Sequence, residues 1–385
     1  MNYELSEVCP VLFGVGSVTQ VGVIAKKYNL KKIMLVCDGF LMKSGIADKV
    51  IEFLKVEGID VVPFDNIVPD PPVGICNEGA QLAKKEMVDG FVAIGGGSCI
   101  DTAKGINILT TNIGPLSKYF KNPAPNPTLP LIAIPTTSGT GSEVSHGTVI
   151  TGEDGIKKAY VSEPTYAIVD PELTVTVPPA LTAATGMDVF AHTAECILNN
   201  VYSPKGNMHS AAAIKLVLKW LPVAVNDGNN IEARTNMAMA SNLGGITLIE
   251  GGVTFGHPMA HAMGSEFHLP HGDLCALVMP VVVKITALEA PEKVRELGEA
   301  MGLNLGTDLS PNELGEVVAQ AINDFNRKIG IKSLKEFGVS RESLVGRSDL
   351  GEHLINDDAY DACYGIPKTA EYWGEQFVQL YDNYK

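Results

Sequence analysis

Basic residues are in short supply in this 385-residue chain: 29 lysines and arginines stand against 44 aspartates and glutamates, a net charge of −15. So acidic a chain does not suit a polyphosphate partner or an anionic membrane, so no nucleic acid and no membrane partner is expected. Long hydrophobic runs are missing as well. No apolar stretch approaches the roughly 20 residues of a membrane span. The N-terminal MNYELSEVCPVLFG has neither the basic nor the apolar region of a signal peptide. The seven cysteines are scattered, odd in number and never paired as CxxC. They read as reduced, mostly buried thiols of a cytoplasmic protein. Disorder is excluded too, because hydrophobic residues make up 45% and charged residues only 19%.

What is present falls into two halves. Residues 31–38, KKIMLVCD, form an apolar run ending in Asp38; DVVPFD (60–65), GFVAIGGGS (90–98) and LPLIAIPTTSGTGSE (129–143) follow, with helix-like segments at 46–57 and after PDPP (69–72). Continuous apolar strands alternating with helices predict a parallel sheet covered on both faces. From about Leu181 the period becomes helical, over 183–200, 207–225, 231–249, 311–328 and 341–355. The expected organisation is an α/β, Rossmann-like domain over 1–182 and an all-α domain over 183–385.

Two strand exits carry ligand chemistry. In GGGSCIDTAK (95–104), three glycines let the backbone approach a ligand, and Ser98 is expected to cap the helix that follows. The free amides and positive end of that helix suit a pyrophosphate, although a plain strand–helix turn would need much the same residues. PTTSGTGSEV (135–144) offers Thr136, Thr137 and Thr140 at a second exit. Alone it is a polar loop; beside the first it reads as a second ligand loop, because ligands gather at the carboxyl ends of parallel strands. FGVGSVTQVG (13–22) has only GxG and lacks the third glycine of the dinucleotide fingerprint. Asp38 suits a ribose 2′-hydroxyl and would repel a 2′-phosphate, which favours NAD over NADP; it would serve equally as a turn cap.

Histidine is sparse, yet four of the eight lie in GGVTFGHPMAHAMGSEFHLPHGD (251–273). His257 and His261 share a helix face, and His271 opens a further helix after Pro270. Upstream, GMDVFAH places Asp188 and His192 one helical turn apart. Two such pairs can converge on one divalent ion, and imidazole plus carboxylate suits Fe²⁺ or Zn²⁺. A single i,i+4 histidine pair is often incidental. HPMAH lacks the glutamate of a zincin, so a metallopeptidase is not expected. His268, His146, His209 and His353 are read as solvent-facing or structural.

GGGSxxDxAK, PTTxGTxSEV, DPELTxTxPPxLTAATGMDxxxH and HxMAHxxGxxxxxPHG together resemble the iron-dependent (group III) alcohol dehydrogenase family, over nearly the whole chain. The resemblance implies a dehydroquinate synthase-like architecture, with the first domain holding NAD and the second holding metal and substrate. It implies that Asp188, His192, His257 and His271 bind Fe²⁺ or Zn²⁺. His261 would be a catalytic neighbour in proton relay rather than a ligand. Gly95, Gly96, Gly97, Ser98 and Asp101 would line the pyrophosphate site, Thr136, Thr137 and Thr140 the second nucleotide loop, and Val149 and Lys158 the cofactor cleft. It further implies a cytoplasmic homodimer acting on a small alcohol or aldehyde. The chain departs from the family's pattern at Thr254 and Pro258, and at Ile366 and Lys368 in DACYGIPK, positions expected to border the substrate pocket. The expected activity is hydride transfer between NAD(H) and a small primary alcohol or diol. The alternatives are a related metal- and NAD-dependent polyol (glycerol-type) dehydrogenase, a metal-dependent hydrolase, or a member that binds cofactor without turnover.

Overall fold

A computed structural model describes residues 7–120, 122–201, 203–362 and 369–384, with the backbone alone described at 361 and 362. Cys363, Ile366 and Lys368 lie outside the described residues. The chain divides into two units, one ending at Thr176 and the other starting at Val177.

The first unit is built on eight strands: β1 (Val11–Phe13), β2 (Lys32–Asp38), β3 (Asp60–Ile67), β4 (Gly90–Gly95), β5 (Leu131–Pro135), β6 (Gly147–Thr151), β7 (Lys157–Val161) and β8 (Tyr166–Val169). Its helices are α1 (Val21–Lys27), α2 (Gly39–Lys43), α3 (Ile46–Val56), α4 (Val73–Glu86) and α5 (Gly97–Thr111). Six strands form a parallel sheet in the order β1-β8-β5-β4-β2-β3. Strands β4 and β5 are buried at every position, as their unbroken apolar sequences require, and Pro63 is tolerated because β3 is an edge strand. The chain goes from β2 out to β3 and returns on the other side of β2 as β4. The reversal therefore falls between β2 and β4, the place where open parallel sheets bind ligands.

β6 and β7 form a separate antiparallel hairpin that the sequence pattern did not announce. Its anchor is the Asp101/Lys104 pair of α5. Asp101 accepts from the Ser142 hydroxyl and, at 3.0 Å, from the Val149 amide. The fully buried Lys104 ammonium donates to Ser142 Oγ, Ser145 O and Gly147 O at 3.1, 3.0 and 2.7 Å. Burial pushes the Asp101 carboxyl up and the Lys104 amine down, against their mutual attraction.

The second unit is helical: α6 (Pro179–Leu198), α7 (Pro204–Asn226), α8 (Ile231–Glu250), α9 (Gly256–Phe267), α10 (His271–Glu289), α11 (Pro291–Ala300), α12 (Pro311–Ile329), α13 (Ser348–Ile355) and α14 (Ala370–Asn383). One apolar core runs through these helices. α7 and α10 reach the length and apolarity of membrane spans, contrary to the sequence reading, and both contribute buried residues to this core. α12 shows the local logic plainly. Ser310 and Glu313 make a capping box, Pro311 opens the helix, and Gly330 closes it in the left-handed conformation. The helix expected over 341–355 is shorter than its periodicity suggested. A 3₁₀ turn at Glu342–Leu344 is separated from α13 by Gly346 at φ 69°, outside the helical range.

Candidate active site

In the first unit, three neighbouring strands deliver the expected nucleotide loops to one end of the sheet. Val36 of β2 lies opposite Ala93 of β4, and Gly95 lies opposite Pro135 of β5. Asp38, the glycine loop and the threonine loop therefore leave adjacent strands at one level. Asp38 Oδ1 accepts from the Leu41 amide at 2.9 Å, so it does cap α2, and its Oδ2 lies 3.9 Å from Cys99 Sγ. Ser98 does not cap its helix, contrary to expectation. α5 begins one residue earlier, Gly96 is the capping position, and no side chain bonds that end. An uncapped N-terminus suits an outside anion. Asp101 is turned inward to the hairpin, and its partner Val149 sits on β6 with its amide on that carboxylate. Lys158, on β7, has its ammonium 3.2 Å from Asp154 Oδ2 and 5.4 Å from the centre of the Phe120 ring. The N-terminal GxG loop is committed elsewhere, because its Gly16 and Val18 amides both donate to Asp170 at 3.1 Å.

The glycine loop and the threonine loop touch where glycine is required. A Cβ at Gly97 would stand 2.6 Å from Thr140 Cγ2 and 2.9 Å from Thr140 Oγ1. Gly97→Ala must displace the threonine loop, at a strain of about 1–3 kcal/mol. On the expectation that these loops hold NAD, the outcome is a KM for NAD raised roughly tenfold, since 1.4 kcal/mol is a factor of ten. Metal content should be unchanged, and steady-state kinetics with metal analysis checks both.

In the second unit, α6, α9 and α10 bring four predicted side chains together. One oxygen of Asp188, Oδ1, lies 3.6 Å from Nε2 of His192, 3.5 Å from Nε2 of His257 and 3.5 Å from Nε2 of His271. These are long for good hydrogen bonds, and this buried oxygen makes none. They match the edges of a coordination polyhedron, which for bonds near 2.0–2.3 Å are roughly 3.3–3.8 Å. The His192 and His257 rings stack at 4.6 Å, tilted by 11°. Burial works against ionisation of Asp188, yet the three imidazoles hold its carboxyl far below the usual range. Burial pushes His192 down to about 4, so it is neutral and able to donate a lone pair at neutral pH. The donor set thus has the charge, geometry and unsatisfied oxygen that a divalent ion would complete.

Two carboxylates absent from the sequence reading fix the imidazoles. Glu195 Oε1 accepts from Nδ1 of His257 at 2.6 Å, which turns Nε2 of that ring toward Asp188. Glu195 Oε2 accepts from the Thr254 amide at 2.7 Å and the Thr254 hydroxyl at 2.8 Å. Thr254, one of the departures from the family's pattern, thus supplies Glu195 with a hydroxyl donor. Gly256 is needed here too, since its Cβ would lie 2.8 Å from the Glu195 carboxyl. Pro258 is buried in the first turn of α9. Glu195 was within reach of the sequence pattern: Asp188, His192 and Glu195 stand at i, i+4 and i+7 on one stripe of α6. The second carboxylate, Asp357, accepts from Nδ1 of His261 at 2.8 Å. His261 stacks against the His271 ring at 5.2 Å. His268 is exposed and ends α9 in the left-handed conformation.

A parallel sheet with glycine-rich strand exits and a histidine–carboxylate centre, carried on one chain, is the constitution of a metal-dependent dehydrogenase. Residues 10–171 match the family model "Iron-containing alcohol dehydrogenase", and residues 182–362 match "Fe-containing alcohol dehydrogenase family, C-terminal". The chain is 36% identical to the NAD-dependent methanol dehydrogenase of Bacillus methanolicus, over 86% of this chain and 89% of that one. It is 35% identical to the choline dehydrogenase of Bacillus subtilis (strain 168), over 92% and 94%. A crystal structure of 1,3-propanediol oxidoreductase superposes with a TM-score of 0.91 at 32% identity, covering 99% of this chain and 100% of that one. The chain belongs to the iron-containing alcohol dehydrogenase family, and is thereby an oxidoreductase of the kind that acts on alcohols.

Proposed function

We propose that this protein is an NAD-linked, metal-dependent dehydrogenase that interconverts a small primary alcohol or diol and its aldehyde. The observation that carries the reading is the buried Asp188 oxygen, without a hydrogen bond and faced by three imidazole Nε2 atoms. Asp188, His192, His257 and His271 would hold Fe²⁺ or Zn²⁺. Gly95, Gly96, Gly97, Ser98, Thr136, Thr137 and Thr140 would hold NAD, with Val149 and Lys158 beside it. Similarity to relatives named for methanol and 1,3-propanediol supports a short substrate. A cytoplasmic homodimer belongs to the same reading, and light scattering on the purified protein tests the assembly.

When bound, the ion supplies Lewis acidity to a hydroxyl oxygen, and NAD supplies the hydride acceptor. The chain's own residues do the rest. Glu195 holds His257 in the tautomer that a metal needs. Asp357 holds the Nδ1 proton of His261, so Nε2 is the atom that can take up the proton of the alcohol. The Asp357 carboxyl, pushed up by burial but more strongly held down by the hydrogen bond and charge of His261, stays ionised to stabilise the imidazolium. With NAD as hydride acceptor the alcohol would become an aldehyde, and His261 would pass the hydroxyl proton to water.

Anaerobic reconstitution of the metal-stripped protein with Fe²⁺ or Zn²⁺, followed by NADH absorbance across short alcohols, diols and hydroxyacids, tests the reading. Metal-dependent NADH formation is expected, and silence with every substrate would overturn it. Specificity for the dinucleotide is tested at Asp38. Glycine costs a helix cap only a few tenths of a kcal/mol, so Asp38→Gly isolates the charge. Removing a like charge near a 2′-phosphate relieves about 1 kcal/mol or more. The ratio of kcat/KM for NADP over NAD is expected to rise about tenfold, and an unchanged ratio would refute the role of Asp38.

A further inference from the structure

The cluster at Asp188 contains one more donor. Cys275 lies on α10, one turn after His271, and its Sγ is 3.5 Å from Nε2 of His271 and 3.9 Å from Nε2 of His257. The donor atoms of Asp188, His257, His271 and Cys275 all lie within 4.8 Å of one another. Four distances within this group, 3.5 Å from Asp188 Oδ1 to each of the two histidines and 3.5 and 3.9 Å from sulfur to them, are spacings suited to donors that share one ion, so that sulfur would join the set formed with His192. The fully buried thiol points at the same two Nε2 atoms. The Asp188 oxygen, buried and without a hydrogen bond, faces the same two.

We infer that Cys275 is a metal ligand, so that the centre offers sulfur beside nitrogen and oxygen and prefers Zn²⁺ to Fe²⁺. The inference rests on the metal-centre reading above. Thiolate is the softest donor available to a protein and favours zinc, whereas imidazole and carboxylate serve both ions. On binding, the S–H bond breaks, the sulfur pair goes to the metal and the proton leaves to solvent. A serine hydroxyl of similar size offers no such donor.

The test is an anaerobic titration of the metal-stripped, full-length protein with Co²⁺, which reports its ligands in its absorption spectrum. The wild type is expected to show the visible bands of bound Co²⁺ and a near-ultraviolet sulfur-to-cobalt charge-transfer band. Cys275→Ser is expected to keep the former and lose the latter, with Cys275→Ala as a second variant. In competition between Zn²⁺ and Fe²⁺, read as metal content after equilibration, the zinc preference should fall about tenfold in either variant. A wild-type spectrum with the visible bands and no charge-transfer band overturns the inference, whatever the variants do. So does a band that survives in both variants. Failure of the wild type to take up Co²⁺ stoichiometrically would instead overturn the metal-centre reading on which the inference stands.

Discussion

Asp188→Asn is expected to abolish metal binding and, with it, at least 10²–10³ of the alcohol-dependent NADH formation, the factor that corresponds to the about 3–5 kcal/mol lost when one partner of a buried charge pair is removed. Asparagine has the shape of aspartate, so packing on α6 is kept. What is lost is the negative charge at the oxygen that three imidazoles face. In the native protein that carboxylate stays ionised despite full burial, and it would carry the only formal negative charge among the four proposed oxygen and nitrogen ligands. An amide oxygen cannot compensate a divalent ion among neutral rings. Thermal unfolding gives a second reading. An ion at 100 times its Kd stabilises a folded protein by about 2.7 kcal/mol, so added Zn²⁺ should raise the melting temperature of the wild type and leave that of the variant unmoved. Dinucleotide binding should persist, because the loops proposed to hold NAD lie in the first unit. A variant that binds Zn²⁺ within a few-fold of the wild type would sink the assignment of Asp188.

Fold class was legible because burial writes itself into sequence. β4 and β5 are buried at every position and read as unbroken apolar runs, and the change from strand to helical period marks where the helical half begins. The β6–β7 hairpin was not legible. Its strands are five residues each, partly exposed, and their pairing depends on Asp101 and Lys104, more than 40 residues upstream. In the sequence those two residues belong to GGGSCIDTAK, and nothing local to that segment announces buried backbone carbonyls in need of a donor. The i,i+4 pairs Asp188/His192 and His257/His261 were visible because a helix puts such residues on one face. The partners of the imidazoles were not. Glu195 continues the α6 stripe but looks like an ordinary helix glutamate until the Thr254 turn is folded against it. Asp357 lies 96 residues from His261, beyond any local pattern. Cys275 has the spacing of a partner to His271, but a cysteine in an apolar helix reads as a small hydrophobe.

Glu195→Gln isolates the support of the metal centre from its ligands, and is expected to weaken metal affinity by about 10–100-fold while leaving every proposed ligand in place. The carboxylate receives only donors: Nδ1–H of His257 at 2.6 Å on one oxygen, and the amide and hydroxyl of Thr254 at 2.7 and 2.8 Å on the other. An ionised carboxylate satisfies all three, and the His257 amide at 3.4 Å besides. Burial opposes its charge, but the His257 charge and these hydrogen bonds outweigh burial and hold its carboxyl below the usual range. A glutamine must aim its NH₂ either at the backbone amides of Thr254 and His257, leaving donors facing a donor while the Thr254 hydroxyl turns to accept, or at the His257 ring. In the first case the unmet buried group costs about 1–3 kcal/mol of stability. In the second, His257 relieves the clash by moving its proton to Nε2, the atom needed by the ion. Both routes weaken the site, and nitrogen-15 chemical shifts of His257 in the metal-free protein separate them by reporting which ring nitrogen is protonated. Glu195→Asp, which keeps the charge at a shorter reach, should recover part of the affinity if hydrogen-bond support is the cause. Equal loss in the two variants, with an unchanged tautomer, would mean that Glu195 acts only as packing beneath α9.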